Sequence, residues 1–371
     1  MRRAGFYLCI LVLTTGQACK REGILRYNGG DLPQTLSEWG LFQGELRQLQ
    51  PVDGVVPYDL NTPLFSDYAH KFRTMSLPPG EAAPYSPDTV FALPVGTVIS
   101  KTFYFEDSEI ESIDGVTPSP SPDGRRLIET RILVHTDDGW MGIPYVWDDA
   151  MTEARLKIAG AGFLIVQRDG DGGTRQLQYA VPDMNQCASC HVTNAAEHEN
   201  AMTPIGPAAR HLNRDYDYAN GAVENQLTHW QNIGFLSDVP APETAPRHAV
   251  WNEPETGSVD ERARAYLDAN CAHCHSPTGP ARTSGLNLRS DVDGRPHWGV
   301  CKTPVAAGRG SGGLSYDIVP GNPDRSILFF RMASVDPGIM MPEIGRSVVH
   351  TEGVALMRQW IASLDGSCVG L

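Results

Sequence analysis

Positive charge is scarce in this chain of 371 residues: 30 Lys and Arg stand against 44 Asp and Glu, a formal net charge of -14. A surface of that sign repels nucleic acid and anionic headgroups and leaves basic proteins and neutral or cationic small molecules as the easier partners. Long apolar runs are also missing. Beyond the N-terminal segment, none approaches the roughly 20 residues a helix needs to cross a bilayer. Two familiar loop signatures are incomplete. Gly308-Arg309-Gly310-Ser311-Gly312-Gly313 lacks the Lys of a phosphate loop. Asp169-Gly170-Asp171-Gly172-Gly173 lacks the bidentate Glu of a calcium loop and reads as a hairpin turn. Core material is not short: 41% of residues are hydrophobic, which excludes wholesale disorder. The length suggests two or three domains.

The N-terminus reads as a targeting segment. Arg2 and Arg3 precede a short apolar run, Phe6 to Leu13, and small and polar residues end in Gly16-Gln17-Ala18-Cys19. Residues 1–18 are expected to be a signal peptide, which places the protein in the periplasm or cell envelope. A small residue before Cys19 suggests that this Cys becomes a lipidated first residue, although Gly16 stands where such signals usually carry Leu. Ordinary cleavage nearby, giving a soluble periplasmic protein, is the alternative.

The remaining cysteines point to the chemistry. Cys187-Ala188-Ser189-Cys190-His191 and Cys271-Ala272-His273-Cys274-His275 both match C-x-x-C-H. On a helical turn the two sulfurs share a side and each reaches one haem vinyl group as a thioether. The following His projects from the same turn as a proximal iron ligand. A zinc site built from four Cys is the main competitor, and it leaves the two identically placed His residues unexplained. Cys187, Cys190, Cys271 and Cys274 are therefore read as attachment points for two covalently bound haem c groups, with His191 and His275 as iron ligands. Cys301 and Cys368 remain, and in an exported protein they are expected to form a disulfide.

A distal ligand for the second iron is expected from Met340-Met341-Pro342-Glu343. A Met on an extended loop closing over the haem raises the potential. Met341 is favoured because Pro342 stiffens the loop behind it, and Met340 is the near competitor. For the first iron the candidates are Met202, one of His198, His211, His229 and His248, or no protein ligand. An open position would admit peroxide or a gas.

Along the chain, residues 19–180 read as a β-rich, sandwich-like domain. Its predicted strands include Thr97 to Phe105, Leu127 to His135 and Trp140 to Val146, the last two joined at Asp138-Gly139. Residues 181–238 form the first haem-binding segment, with a predicted helix over Glu224 to Asn232. Pro240, Pro242, Pro246 and Pro254 mark 239–257 as a linker. Residues 258–371 read as a compact helical domain, opened by a helix capped at Ser258 or Asp260 and closed by an amphipathic helix over Thr351 to Leu364. The fold class expected is thus α+β and multidomain: a β-rich N-terminal domain, then mainly α-helical c-type haem domains.

Residues 258–371 resemble a class I cytochrome c domain. The whole mature chain resembles a family of bacterial two-haem c-type cytochromes. The resemblance is carried by LSEWGLF (36–42), YDLNTPLFSDY (58–68), PVGTVISKTFYF (94–105), NQCASCH (185–191) and PIGPAARHLN (204–213). It continues in NQLTHW (225–230), DANCAHCH (268–275), DIVPGNP (317–323) and MPEIGR (341–346). It implies a periplasmic or surface redox protein and offers no settled reaction. Electron transfer to or from a redox partner protein is the leading expectation. A dihaem peroxidase- or oxidase-like enzyme with the first haem as reactive site is the alternative. A third reading makes the N-terminal half a binding module fused to a cytochrome.

Overall fold

The computed structural model describes residues 23–170, 172–192, 202–218 and 221–368. The signal segment, Cys19 and His198 lie outside these residues. Among the described residues no helix is long and apolar enough to cross a membrane.

Two antiparallel sheets dominate. Numbering only their strands, these are β1 (Val56–Tyr58), β2 (His70–Ser76), β3 (Val98–Glu106), β4 (Ile110–Ile113), β5 (Arg125–Thr136), β6 (Gly139–Trp147), β7 (Ala154–Leu156), β8 (Ala161–Arg168) and β9 (Thr174–Val181). The larger sheet has the order β7-β6-β5-β3-β2-β1, and the smaller β9-β8-β4. β5 and β6 form the hairpin expected at Asp138-Gly139, with Thr136 opposite Gly139.

Alternation along the strands gives the larger sheet two unlike faces. One carries Val98, Ile132, Val134, Ile143 and Tyr145 and is covered by the segment from Tyr27 to Val55, with Trp39 fully buried. Trp39 Nε1 donates to Tyr145 Oη at 2.8 Å, satisfying the indole where water is absent. The other face is covered at its ends only. Phe103 and Phe105 lie under the smaller sheet, with Ile165, Leu177 and Tyr179. Met75 and Ile99 lie under Leu212, Leu227 and Trp230. The middle of this face borders a cavity.

The helices are α1 (Met184–His191), α2 (Ala209–Leu212), α3 (Gln226–Asn232), α4 (Val259–Leu267), α5 (Ile327–Met332) and α6 (Thr351–Ser363). The predicted helix over Glu224 to Asn232 starts later: Asn225 caps it, and Ala222–Asn225 pairs as a strand with Asp215–Tyr218. Ser258 caps α4 in a reciprocal pair with Glu261. The segment read as a linker is packed, with Ala245, His248 and Ala249 buried.

The expected mainly helical, cytochrome c-like architecture is not found. The chain is β-rich, and 258–368 is not a clearly helical domain. Between the second C-x-x-C-H and α5 the described chain forms only short 3-10 turns at Arg282–Ser284, Gly308–Ser311 and Pro323–Arg325. Pro277, Pro280, Pro296, Pro304 and Pro320 remove donors that a helix needs, and Gly285, Gly299 and Gly312 take left-handed backbone. Loops therefore fill the space that helices were expected to fill. The packing there comes from Trp360, Met357 and Ile361 of α6 against Tyr266 and Leu267 of α4.

The disulfide Cys301–Cys368 is present, with the Cα atoms 5.2 Å apart. It fastens the end of the chain to this loop-rich region. Replacing both cysteines by Ser is expected to lower the free energy of unfolding by about 2–4 kcal/mol, read from urea denaturation of the full chain. An unchanged midpoint would show that the loops hold without the bridge.

Candidate functional site

β9 ends at Val181, and Asp183 starts α1. The Asp183 carboxylate accepts from Gln186 N at 2.7 Å while Gln186 Oε1 accepts from Asp183 N at 3.0 Å. This capped turn presents Cys187, Cys190 and His191. Cys187 is buried against β6, where a Cβ on Gly142 would lie 2.8 Å from Cys187 Cβ and 3.0 Å from its Sγ. Only Gly lets the motif sit this close to the sheet. His191 Nδ1 lies 2.8 Å from the Thr203 carbonyl. A carbonyl only accepts, so Nδ1 carries the proton and Nε2 keeps its lone pair. Burial, then the nearby Lys101 charge, pulls His191 down to about 4, so the ring is neutral at pH 7.

The second motif follows α4 through a π-helical turn, Asp268–Ala272. His275 Nδ1 lies 3.0 Å from Ser284 Oγ. Asn270 fixes the turn: its Oδ1 accepts from Phe65 N at 2.8 Å and its Nδ2 donates to the Tyr266 carbonyl at 2.9 Å. The Met341 loop is held from behind. Met341 N donates to the Arg331 carbonyl, and Arg346 donates to the carbonyls of Met341 and Ser334 at 2.9 and 2.8 Å. Asp67 ties the loop to the sheet by accepting from Ser347 N, Ser347 Oγ and Val348 N.

The two motifs, distant in sequence, are neighbours in space. Cys274 Sγ is 3.9 Å from the Ser189 carbonyl oxygen. Cys187, Cys190 and His191 share one cavity of about 390 Å³ with Cys271, His273 and Met341. That is within the range of sites that take sizeable organic ligands. The four motif cysteines are not disulfide-bonded. Burial pushes all four thiols up, Cys271 and Cys274 to about 12, so none is poised as a nucleophilic thiolate. That counts against a thioredoxin-like pair.

The sheet side of the cavity is cationic. Lys71, Arg73, Lys101 and Arg131 all line it. Burial and then the adjacent guanidiniums pull Lys101 down to about 7, and the same causes put Lys71 well below the usual lysine range. Arg131 is held above its usual value despite burial, because Glu129 grips it at 2.8 and 2.5 Å.

Behind the cavity lies a buried polar knot. Asp268 accepts from Arg210 at 3.2 Å, from Ser290 N at 2.8 Å and from Ser290 Oγ at 3.0 Å. His211 Nε2 and His248 Nε2 stand 3.6 and 3.7 Å from its oxygens. By proximity these three side chains are a candidate metal set. Arg210 already supplies the countercharge, however, and a dication there would lie against the guanidinium. Burial alone would raise Asp268, but Arg210, His248, His211 and the Ser290 N–H outweigh it and hold the carboxylate well below its usual range.

The expected distal ligands fall in different places. Met341 lines the cavity; Met340 is buried and does not line it. Met202 forms a bridge with Val192, its Cε facing Gly142 beside Cys187, and it is not a cavity wall. Of the described His candidates only His211 lines the cavity. His229 is hydrogen-bonded to Glu224 and stacked on Tyr218, and His248 bonds Ser290 Oγ at 2.6 Å. Nothing in the one-dimensional pattern marks Gly142, Asp268 or the sheet cations as site residues: Lys101 and Arg131 stand in strands that already carry polar and charged neighbours such as Ser100, Thr102 and Glu129. Comparison with family models, curated proteins and solved structures finds no match.

Two tests follow from this geometry. Gly142→Ala forces a shift at Cys187 and is expected to cost about 1–3 kcal/mol of stability by overpacking, measured by urea unfolding; a neutral result would mean α1 moves freely. Asp268 contributes stability above the unfolded carboxyl value, near 4, and loses it as pH falls through its depressed folded value. Buried His211 and His248 are also depressed, His248 to about 4, so their contribution fades as pH drops from about 6.5. Unfolding free energy is therefore expected to fall steadily below about pH 6.5. Asp268→Asn should lower it by about 3–5 kcal/mol at pH 7 and flatten the limb below about pH 4, where the carboxylate titrates, leaving the histidine-driven fall above it. An equally steep limb in the variant would place the titrating groups elsewhere.

Proposed function

We propose that this protein is an exported two-haem c-type cytochrome that transfers electrons to or from a partner protein. The observation that carries the reading is the approach of the two C-x-x-C-H turns: Cys187, Cys190, His191 and Cys271 line one cavity, and Cys274, which with His275 stands outside that lining, has its Sγ 3.9 Å from the Ser189 carbonyl. The residues present fit the group. Cys187 and Cys190 would hold one haem and Cys271 and Cys274 the other as thioethers, with His191 and His275 toward the irons. The Thr203 carbonyl fixes the His191 tautomer, leaving Nε2 as ligand. Met341, on a loop clamped by Arg346, would close the second iron. Two covalently held haem c groups, when bound, supply reversible one-electron chemistry. The chain contributes a fixed orientation of His191 and two attachment sites in contact, so that an electron would have a short path between them. Export through residues 1–18, with a lipid on Cys19 as its anchor, belongs to the same proposal and suits covalent attachment in the periplasm or cell envelope.

The alternative, a peroxidase- or oxidase-like enzyme reacting at the first haem, is favoured by one observation: Met202 does not line the cavity. The deciding experiment matures the full chain with haem-attachment machinery and counts haem by pyridine haemochrome. Two haems per chain are expected, and one when Cys187 and Cys190 are both replaced by Ala. No haem would overturn the reading. Met341→Ala should abolish the Met–iron charge-transfer absorption, and Met340→Ala should leave it; the reverse would reassign the ligand. Cyanide that leaves both spectra unchanged supports electron transfer alone, whereas binding and peroxide turnover at the first haem would make the enzyme reading the better one.

A further inference from the structure

Three cations stand in register across three adjacent strands. Arg73 of β2 pairs with Lys101 of β3, and Lys101 pairs with Arg131 of β5. Lys71 lies two residues from Arg73 on the same face, opposite Phe103. Like charges directly opposed across strands destabilise a sheet, and cations set deep in a protein are costly unless paired. The carboxylates at hand are already used. Glu129 takes Arg131 with both oxygens and also accepts from Tyr179 Oη. Asp59 takes Arg73 at 2.6 Å and lies 3.6 Å from Arg214. Asp67, also on the cavity, is bonded to Ser347 and Val348. Among the described residues, Lys71 hydrogen-bonds only to the Ala69 carbonyl, at 2.9 Å. Lys101 rests on the Phe103 ring at 5.1 Å, a ring it shares with Lys71 and Arg131. Such ring contacts return only about 0.5–2 kcal/mol each. Among the described residues, two lysine amino groups are thus left facing the cavity without an anionic partner.

We propose that Arg73, Lys101 and Arg131, with Lys71 beside them, form a binding site for a carboxylate or oxyanion within the cavity of the two motifs. The site lies close to the first motif: Gly142, which touches Cys187, pairs with Leu133, two residues along β5 from Arg131. The geometry suits an anion because the guanidiniums at the row's ends are already oriented by Asp59 and Glu129, while the lysine amino groups can turn toward the ligand, whose charge favours their protonated form. Two sources share this chemistry. One is a propionate of the first haem, in which case the inference rests on the haem reading; the other is a free oxyanion.

The test uses the full chain, matured with haem, as wild type, Lys71→Gln/Lys101→Gln and Lys101→Arg, with Lys101→Met alone if the double variant does not fold. Haem is counted per chain, the first-haem midpoint potential is measured by spectropotentiometry, and inorganic phosphate binding is measured by calorimetry. If a propionate occupies the site, the double variant lowers the first-haem potential, Lys101→Arg restores it, and phosphate binds neither protein. If a free oxyanion is the ligand, wild type binds phosphate and the double variant binds it at least about tenfold more weakly, the loss expected for a charge-assisted hydrogen bond. Equal potentials together with equal phosphate response overturn the proposal. Should the chain carry no haem, the haem reading fails separately, and phosphate calorimetry decides: binding lost in the double variant supports the site, and no binding in wild type overturns it.

Discussion

A single buried carboxylate organises the region where both motifs meet. Asp268 is 4% exposed and lies three residues before Cys271. Its partners come from three separate stretches: Arg210 and His211 from α2, His248 from the Pro-rich segment, and Ser290 from the loop beyond the second motif. Each stretch alone is short and could not bury enough apolar surface to hold its own shape. Bound to one charge, they fix each other. The second motif is thereby positioned by residues that follow the first, and the two C-x-x-C-H turns are parts of one assembly.

The second organising element is the stretch from Asp59 to Tyr68, which runs from the sheet into both C-x-x-C-H regions. Asn61 donates to the Arg210 and Asn213 carbonyls, and Thr62 donates to the Ala249 carbonyl. Phe65 N donates to Asn270, and the Phe65 ring stacks on His350 at 4.2 Å. Asp67 and Tyr68 both take left-handed backbone, which turns the chain back toward β2 while Asp67 holds the Met341 loop. A bend that non-Gly residues adopt at a cost persists here because several hydrogen bonds over-determine it. The sheet is consequently joined to the motif regions by a dense polar seam, and a compact cavity is left where the sheet's middle meets the two motifs.

Local features were legible in the sequence where one short stretch determines them. The β5–β6 hairpin follows from Asp138-Gly139 between alternating strands, α6 from its apolar spacing, and the Cys301–Cys368 pair from elimination among eight cysteines. The expected helical character of 258–371 failed for a different reason. Two real helices, α4 and α6, bound a stretch whose Pro and Gly residues forbid further helix. The site's remaining members were illegible because they act at long range. Gly142 matters only because Cys187 lies against it, and Lys101 only because Arg73 and Arg131 flank it in register. A one-dimensional pattern shows a Lys inside a strand; it does not show that its neighbours have the same sign.

That shared sign bears on what the cavity is for. The chain as a whole is acidic, with a formal net charge of -14, yet the sheet side of this cavity carries four basic side chains, and the carboxylates nearest them, Glu129 and Asp59, are already engaged. A general electrostatic bias would place basic groups anywhere on the surface, where solvent screens them at little cost. Here they are gathered in the interior, in the arrangement that costs most when empty. Such an arrangement persists when a ligand, present whenever the protein works, offsets the cost. On the proposed reading the haem carboxylates are one such ligand, and cations beside an iron centre favour its reduced state. The same cations would also draw a small anion toward the first motif. Electron storage and anion chemistry therefore do not compete as readings of this cavity. They make different demands on one row of side chains, and the source of the negative charge separates them.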